Sequence, residues 1–287
     1  MMRFPVLLTV VVALIVTAGV LLVGQAILQP DLPLIVEAGF SLDEITPNAD
    51  GDTDIATFEY TITRTAKVSL LFEAEDGTVF VFREDEPRFA DDYLVEFSGV
   101  VDGYTLPGED IPGEVERRLI PDGVYTWRLI AEDVNSGEIE ERSGTIAVRD
   151  ADSPLPVISV FDISPPVFTP NQDSISDRVQ VHVYLEKDAD LQVYLLDDAG
   201  VRYPISARKE GRQPNEAGRH IFDYEGGVDL GADPPPDGTY TVVAVAQDAV
   251  GQRIRRTSQV TIAQGGKPRA EILRQAVGVD VVFEVWP

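Results

Sequence analysis

The sequence predicts an all-β protein: two tandem immunoglobulin-like β-sandwiches after a single N-terminal transmembrane helix. Three observations lead there. One ordered set of short motifs occurs twice along the chain. Between the motifs, apolar and polar residues alternate with period two, the mark of a half-buried strand. Helical periodicity is nearly missing, apart from one long apolar run at the N-terminus.

Composition narrows the chemistry. The 287 residues carry 23 Lys and Arg against 49 Asp and Glu, a formal net charge of −26, and 44% are hydrophobic, as expected of a folded chain. Cysteine is absent, which excludes disulfides, thiolate nucleophiles and thiolate zinc sites. His182 and His220 are the only histidines, too few for a multi-histidine metal centre. Nucleic acid is not expected as a partner, because a phosphate backbone needs neutralising cations.

Residues 5–28 contain no charge. At about 1.5 Å per residue they reach roughly 35 Å, enough to cross a hydrocarbon core of about 30 Å. A signal-peptide core has only about 7–15 apolar residues, so residues 1–30 read as an uncleaved anchor, with cleavage near Gly24, Gln25 and Ala26 as the alternative. Arg3 precedes the span, and Asp31 and Glu37 follow it. This asymmetry predicts a protein of the cytoplasmic membrane with its N-terminus inside and the bulk of the chain outside the cytoplasm.

The first module is expected over residues 31–150. It opens with Thr46-Pro47-Asn48-Ala49-Asp50-Gly51-Asp52-Thr53-Asp54, then a strand with Phe58, Tyr60 and Ile62 on one face. A strand from Val68 ends at the turn Glu75-Asp76-Gly77. Pro121-Asp122-Gly123 supplies a fixed φ and then a flexible one, a turn into the strand that contains Tyr125 and Trp127. Residues 144–148 close the copy. The second module, residues 151–263, repeats this order. Thr169-Pro170-Asn171-Gln172-Asp173-Ser174-Ile175-Ser176-Asp177 leads into Val179, Val181, Val183 and Leu185. A strand from Leu191 meets Asp197-Asp198-Ala199-Gly200, and Pro236-Asp237-Gly238 precedes Tyr240. About seven short strands per copy fit a sandwich. The prolines of residues 150–156 predict a short, semi-rigid linker.

The order Pro-Asn-x-Asp-x-x-x-Asp, alternating strand, Asp/Gly turn, Pro-Asp-Gly-x-Tyr and x-Ala-x-Asp-x-x-Gly resembles the FlgD Ig-like family, named after the flagellar hook-capping protein. The resemblance covers residues 40–148 and 160–262. It implies an immunoglobulin-like sandwich used for spacing, adhesion or assembly. It does not imply hook capping. The second copy departs from the pattern at Ser174, where glycine is common, and at Ile175.

Asn48, Asp50, Asp52 and Asp54 place oxygens at alternate positions around Gly51, a spacing that could converge on a hard cation such as calcium, with Asp133 as a further ligand. Asn171, Asp173 and Asp177 form a weaker second set. The competing reading is an Asx-rich turn that caps its own backbone. Residues 31–150 hold 29 acidic and 9 basic side chains, so this module should stand away from anionic headgroups. Arg253, Arg255 and Arg256 form a small basic cluster beside a strand, and Arg208, Lys209, Arg212 and Arg219 lie in a loop region; they read as a solvated face with local ion pairs, with an acidic partner such as another copy's first module as the alternative. The tail, residues 264–287, contains two strand-like segments and is a candidate partner contact by strand addition. No hydrolase or phosphate-binding motif occurs. The expected function is therefore a membrane-anchored structural or interaction protein, not an enzyme, with a protein partner. The alternatives are an accessory subunit of a membrane complex and, least supported, a hydrolase on a β scaffold.

Overall fold

The computed structural model describes residues 16–17, 32–208, 215–227 and 233–265. The predicted anchor falls outside these residues except for Val16 and Thr17, and so does the tail after Gly265. Among the described residues no helix is long and apolar enough to cross a membrane.

The first module contains strands β1 (Ile35–Phe40), β2 (Glu44–Ile45), β3 (Ala56–Ile62), β4 (Ala66–Ala74), β5 (Val79–Arg88), β6 (Asp91–Phe97), β7 (Val100–Asp102), β8 (Glu114–Leu119), β9 (Gly123–Asp133) and β10 (Ile139–Val148). One sheet has the order β1-β3-β6, and the facing sheet β2-β10-β9-β4-β5. The N-terminal strand thus begins in one sheet and crosses, through β2, to pair in parallel with β10 in the other. That switch and this strand order are those of an immunoglobulin-like sandwich.

The second module contains β11 (Ile158–Ser164), β12 (Val167–Phe168), β13 (Val179–Leu185), β14 (Asp190–Leu196), β15 (Arg202–Pro204), β16 (Ser206–Ala207), β17 (Gly218–Tyr224), β18 (Gly238–Gln247) and β19 (Arg253–Ile262). Its sheets follow β11-β13-β17-β16 and β15-β14-β18-β19, with β12 pairing β19 as β2 pairs β10.

The period-two faces read from sequence are the buried ones. Phe58, Tyr60 and Ile62 lie in the first core, and Val179, Val181, Val183 and Leu185 in the second. The first core is aromatic. Phe58 meets Trp127 edge-on at 5.1 Å between centroids, and Phe72 stacks on Phe97 at 4.3 Å. Such pairs each add about 0.5–1.5 kcal/mol beyond the area they bury. They link the two sheets where cysteine is absent. The second core is mainly aliphatic, with Phe168, Phe222 and Tyr224 among valines, leucines and isoleucines.

Tyr125 and Tyr240, which follow the two Pro-Asp-Gly turns, do more than fill the core. The Tyr125 hydroxyl donates to the Pro121 carbonyl at 2.5 Å, and the Tyr240 hydroxyl to the Pro236 carbonyl at 2.7 Å. Each ring fills the core while its hydroxyl ties the turn four residues upstream. This is the tyrosine corner of immunoglobulin-like sandwiches, and both copies have it.

The separation into residues 31–150 and 151–263 is crossed by a sheet. The hairpin β7–β8 leaves the first module and extends the second module's sheet, giving the order β15-β14-β18-β19-β8-β7. Val115 pairs with Ile254 and Glu114 with Arg255. The count of about seven strands per copy therefore fell short chiefly here.

Candidate functional site

Three kinds of polar feature recur in both modules: an Asx loop, an aspartate after each proline turn, and an aspartate at the end of a long strand. A fourth, the joint between the modules, occurs once.

In the first Asx loop, Asp54 Oδ1 accepts from the backbone N–H groups of Asn48 at 3.0 Å and Ala49 at 2.8 Å, and Oδ2 accepts from Gly51 at 2.7 Å. Asn48 Oδ1 accepts from Asp50 N–H, and Asp50 Oδ1 from Asp52 N–H. Ala49, Gly51 and Thr53 all have positive φ, at 64°, 89° and 52°. Alternating handedness turns successive N–H groups inward, which makes an anion-binding nest. Asp54 fills it. Burial raises the Asp54 carboxyl, but the bonds from Gly51, Asn48 and Ala49 outweigh burial and hold it below the usual carboxylate range.

The second loop repeats this bond for bond. Asp177 accepts from Asn171, Gln172 and Ser174, Asn171 Oδ1 from Asp173, and Asp173 Oδ1 from Ile175. Positive φ recurs at Gln172, Ser174 and Ser176. Ser174 holds the position of Gly51, so glycine is not required for this geometry.

These donor sets do not fit a calcium ion. The carboxylate expected to face a cation faces N–H dipoles instead. Asp133 also lies elsewhere. It ends the 11-residue strand β9, whose other end lies beside β2 and the loop, so roughly 30 Å of strand separates them. Asp133 accepts from the N–H groups of Asn135 and Ser136 and pairs with Arg64 Nε at 2.8 Å. The Ser136 N–H, Arg64 and the Asn135 N–H together hold its carboxyl at about 2. Among the described residues no group of three or more His, Cys, Asp or Glu could hold a metal.

Asp54→Ala is expected to cost about 2 kcal/mol in chemical denaturation, because three donors lose one acceptor group. Asp50→Ala should cost less than half of that. Melting temperatures in calcium and in chelator should coincide, and a calcium-dependent rise in the parent would restore the cation reading. The pH dependence has a definite sign. Asp54 and Asp133 are both depressed below 3.8, so their stabilisation is complete above about pH 4 and is lost as pH falls through the lowered values, which for Asp133 is about 2.

The Pro-Asp-Gly motif does more than turn the chain. The Asp122 carboxylate accepts from the N–H groups of Asp150 and Ala151, and Asp237 from those of Gln264 and Gly265. Each aspartate thereby clamps the chain where it leaves its module. The motif by itself predicts only a turn at these two positions.

The joint is the most heavily bonded feature. Gln252 is fully buried. Its Nε2 donates to the Asp152 carbonyl, the Pro154 carbonyl and Asp248 Oδ2, each at 3.0 Å, and its Oε1 accepts from Leu119 N–H at 3.3 Å. One side chain thus grips the linker, the first module and its own turn. Lys187 Nζ reaches Asp248 Oδ2 and Asp152 Oδ2 at 2.7 Å and the Pro154 carbonyl at 2.8 Å. Val100, Leu119 and Val250 close an apolar cluster beside them. The prolines of the linker had suggested semi-rigidity; the structure adds that module 2 holds the linker's carbonyls.

The basic cluster has its partner in the same chain. Arg253 pairs with Glu116 at 2.9 Å and Arg255 with Glu114 at 3.6 Å, both across the β8–β19 seam. Local ion pairs, the favoured reading of this cluster, are thus what the structure shows, and they join the two modules of one chain. Arg256 donates to the carbonyls of Ile158 and Ser159. The hairpin is itself held by Arg118, whose guanidinium meets both Glu109 oxygens at 2.5 and 2.7 Å. Arg118 holds the Glu109 carboxyl at about 2.

No protein-family model and no curated protein matches the sequence. Among solved structures, the chain is similar to dimeric latent PorU from Porphyromonas gingivalis at 12% identity and a TM-score of 0.28, covering 79% of this chain and 20% of that one. It is also similar to a 1.5-MDa bacterial ice-binding adhesin at 12% identity and a TM-score of 0.26, covering 79% and 63%. The D00-D0 domain of intimin gives 11% identity and a TM-score of 0.24, covering 77% and 95%. The chain therefore spans about a fifth of the first of these and under two thirds of the second. At these scores the matches carry no weight, and the sandwich assignment rests on strand order and the two tyrosine corners.

Proposed function

We propose that the protein is a membrane-anchored, extracytoplasmic structural or interaction arm, in which two FlgD-like Ig modules are fused into one stiff unit. The observation that supports this best is the joint. A sheet that continues from one module into the next, with a buried Gln252 bridging both, is costly to build for a freely pivoting pair. Inter-domain contacts within a chain otherwise default to relative motion. A uniform arm sets a fixed distance between what it is anchored to and what it touches.

The uncharged run at residues 5–28 supports the anchor, and Arg3 before it, with no Lys or Arg after it until Arg64, supports placement of the body outside the cytoplasm. Catalysis draws no support from the titratable groups. Among the described residues, the carboxyls whose values clearly shift, Asp54, Asp76, Glu109 and Asp133, all move downward, opposite to what a general acid needs.

The natural lack of cysteine makes the test direct. Glu75→Cys and Asp198→Cys, in the equivalent exposed turns of the two modules, are spin-labelled in the full chain. A single narrow distance distribution is expected. A broad one would remove the stiff-arm reading. Protease accessibility of the body in intact cells, and after removal of the outer barrier, checks its side of the membrane.

A further inference from the structure

The two modules can be matched residue by residue. Gly123 opposite Val148 corresponds to Gly238 opposite Ile262, and the ladders run in register from there. This makes Ile139, Glu140 and Glu141 of β10 the counterparts of Arg253, Ile254 and Arg255 of β19. Arg64 with Asp133 corresponds to Lys187 with Asp248, the ion pair at the joint. The entry pole of the first module is therefore the same surface that, in the second module, is docked.

The two surfaces differ in what covers them. In the second module β8 lies along β19, and Ile254 is fully buried. In the first, β2 pairs only with Ala147 and Val148, and among the described residues the rest of the outer edge of β10 has no ladder partner; β1 runs beside it across a gap bridged by side chains, Ile35 N–H donating to Glu140 and Arg142 to the Ile35 carbonyl. Glu140, the counterpart of Ile254, is largely covered, whereas Ile139, the counterpart of Arg253, is 67% exposed on the other strand face, and Val134, in the adjoining turn, 56%. In the second module the matching turn presents Val250 to Val100 and Leu119. A groove of about 540 Å³ runs beside this edge between β1 and β10, lined by residues that include Val36, Phe40, Glu59 and Arg142.

The charge is reversed between the two edges. β19 presents Arg253 and Arg255 and receives a strand bearing Glu114 and Glu116. Around β10, Glu138, Glu140 and Glu141 already hold Arg64, Arg142 and Arg128. Glu132 stands opposite Lys67, and Glu37 and Glu59, which line the groove, leave the edge in acidic excess. We propose that residues 139–142 form a second docking edge, which receives an extended strand from another protein, with basic residues alternating with apolar ones. Main-chain bonds along the edge supply affinity, and alternate side chains supply selectivity. The unpaired edge also explains the exposed Ile139, since bare apolar edges are otherwise avoided. This deepens the interaction-arm reading, and rests on it only in placing the edge where such a partner can reach it.

The probe is a labelled 11-residue peptide of alternating Lys and Val, with a Glu/Val peptide as its opposite, added to the full chain in nanodiscs. Any cationic peptide will associate loosely with a chain of net charge −26, so location decides. The Lys/Val peptide is expected to slow amide exchange at residues 139–143 and to bind at least about 10-fold more tightly than the Glu/Val peptide. Ile139→Lys, at an exposed apolar position that takes part in no ion pair, should abolish that protection while leaving the melting temperature unchanged. Equal affinities, protection elsewhere, protection by nanodisc lipid alone, or protection by self-association without peptide would each overturn the proposal. The stiff arm is read separately, from the spin-label distances, which need no peptide.

Discussion

Gln252→Ala is expected to unlock the two modules. The substitution removes no charge and little apolar surface, yet it takes the acceptor from Leu119 N–H and leaves the Asp152 and Pro154 carbonyls to Lys187 alone inside a closed joint. An orphaned buried polar group costs about 1–3 kcal/mol, so a net loss of about 2 kcal/mol is expected. The second module should melt earlier than the first. The distance distribution between labels at residues 75 and 198 should widen to several populations. Gln252→Glu makes a useful contrast. It keeps an acceptor for Leu119 N–H but sets a second carboxylate against Asp248, 3.0 Å from the replaced nitrogen. It should be worse at neutral pH and partly recover as pH falls. If Gln252→Ala leaves both the distances and the melting unchanged, the joint is not what holds the arm stiff.

Gly103→Ala attacks the same joint from the other side. A Cβ at Gly103 would sit 1.6 Å from the Val115 carbonyl oxygen, a backbone atom that cannot step aside. Gly103 N–H also donates to the Glu116 carbonyl at 3.0 Å, so the chain must approach this closely for β7 and β8 to pair. Overpacking against backbone is expected to cost about 3 kcal/mol, read by chemical denaturation, and to draw β8 away from β19. Gly108, in the same hairpin, has open space around it but a φ of 88°. Gly108→Ala should cost only about 1 kcal/mol, the ordinary penalty for a side chain in left-handed backbone. Similar losses for the two variants would mean that the close approach at Gly103 is not limiting.

Much of the fold was legible because period-two burial writes itself into residue types. Phe58, Tyr60 and Ile62, and Val179 through Leu185, announced their faces. The hairpin was not legible. β8 reads Glu-Val-Glu-Arg-Arg-Leu, with no sustained alternation, and the residues that make sense of it are Arg253 and Gln252, the latter 133 positions beyond Leu119. The Asx loops were legible as to residue type and misleading as to role. The sequence displays four oxygen-bearing side chains around Gly51, but which way they face depends on the sign of φ at Ala49 and Thr53. Those two residues carry no marker for positive φ. Asp122 and Asp237 were likewise hidden in a familiar turn motif, because the N–H groups they clamp lie 28 residues away.

The parallel pairing of β2 with β10, and of β12 with β19, has a mechanical consequence. Each module is entered at one pole and left at the other, so tension along the chain drags the early strand one way and the last strand the opposite way. The bonds Ala147 N–H to Asp43 O and Arg149 N–H to Ile45 O, and their counterparts Thr261 to Pro166 and Ala263 to Phe168, then lie across the direction of sliding. They are loaded together in shear and cannot peel one after another like a zipper. Each sandwich therefore resists stretching most strongly along the axis by which it is tethered.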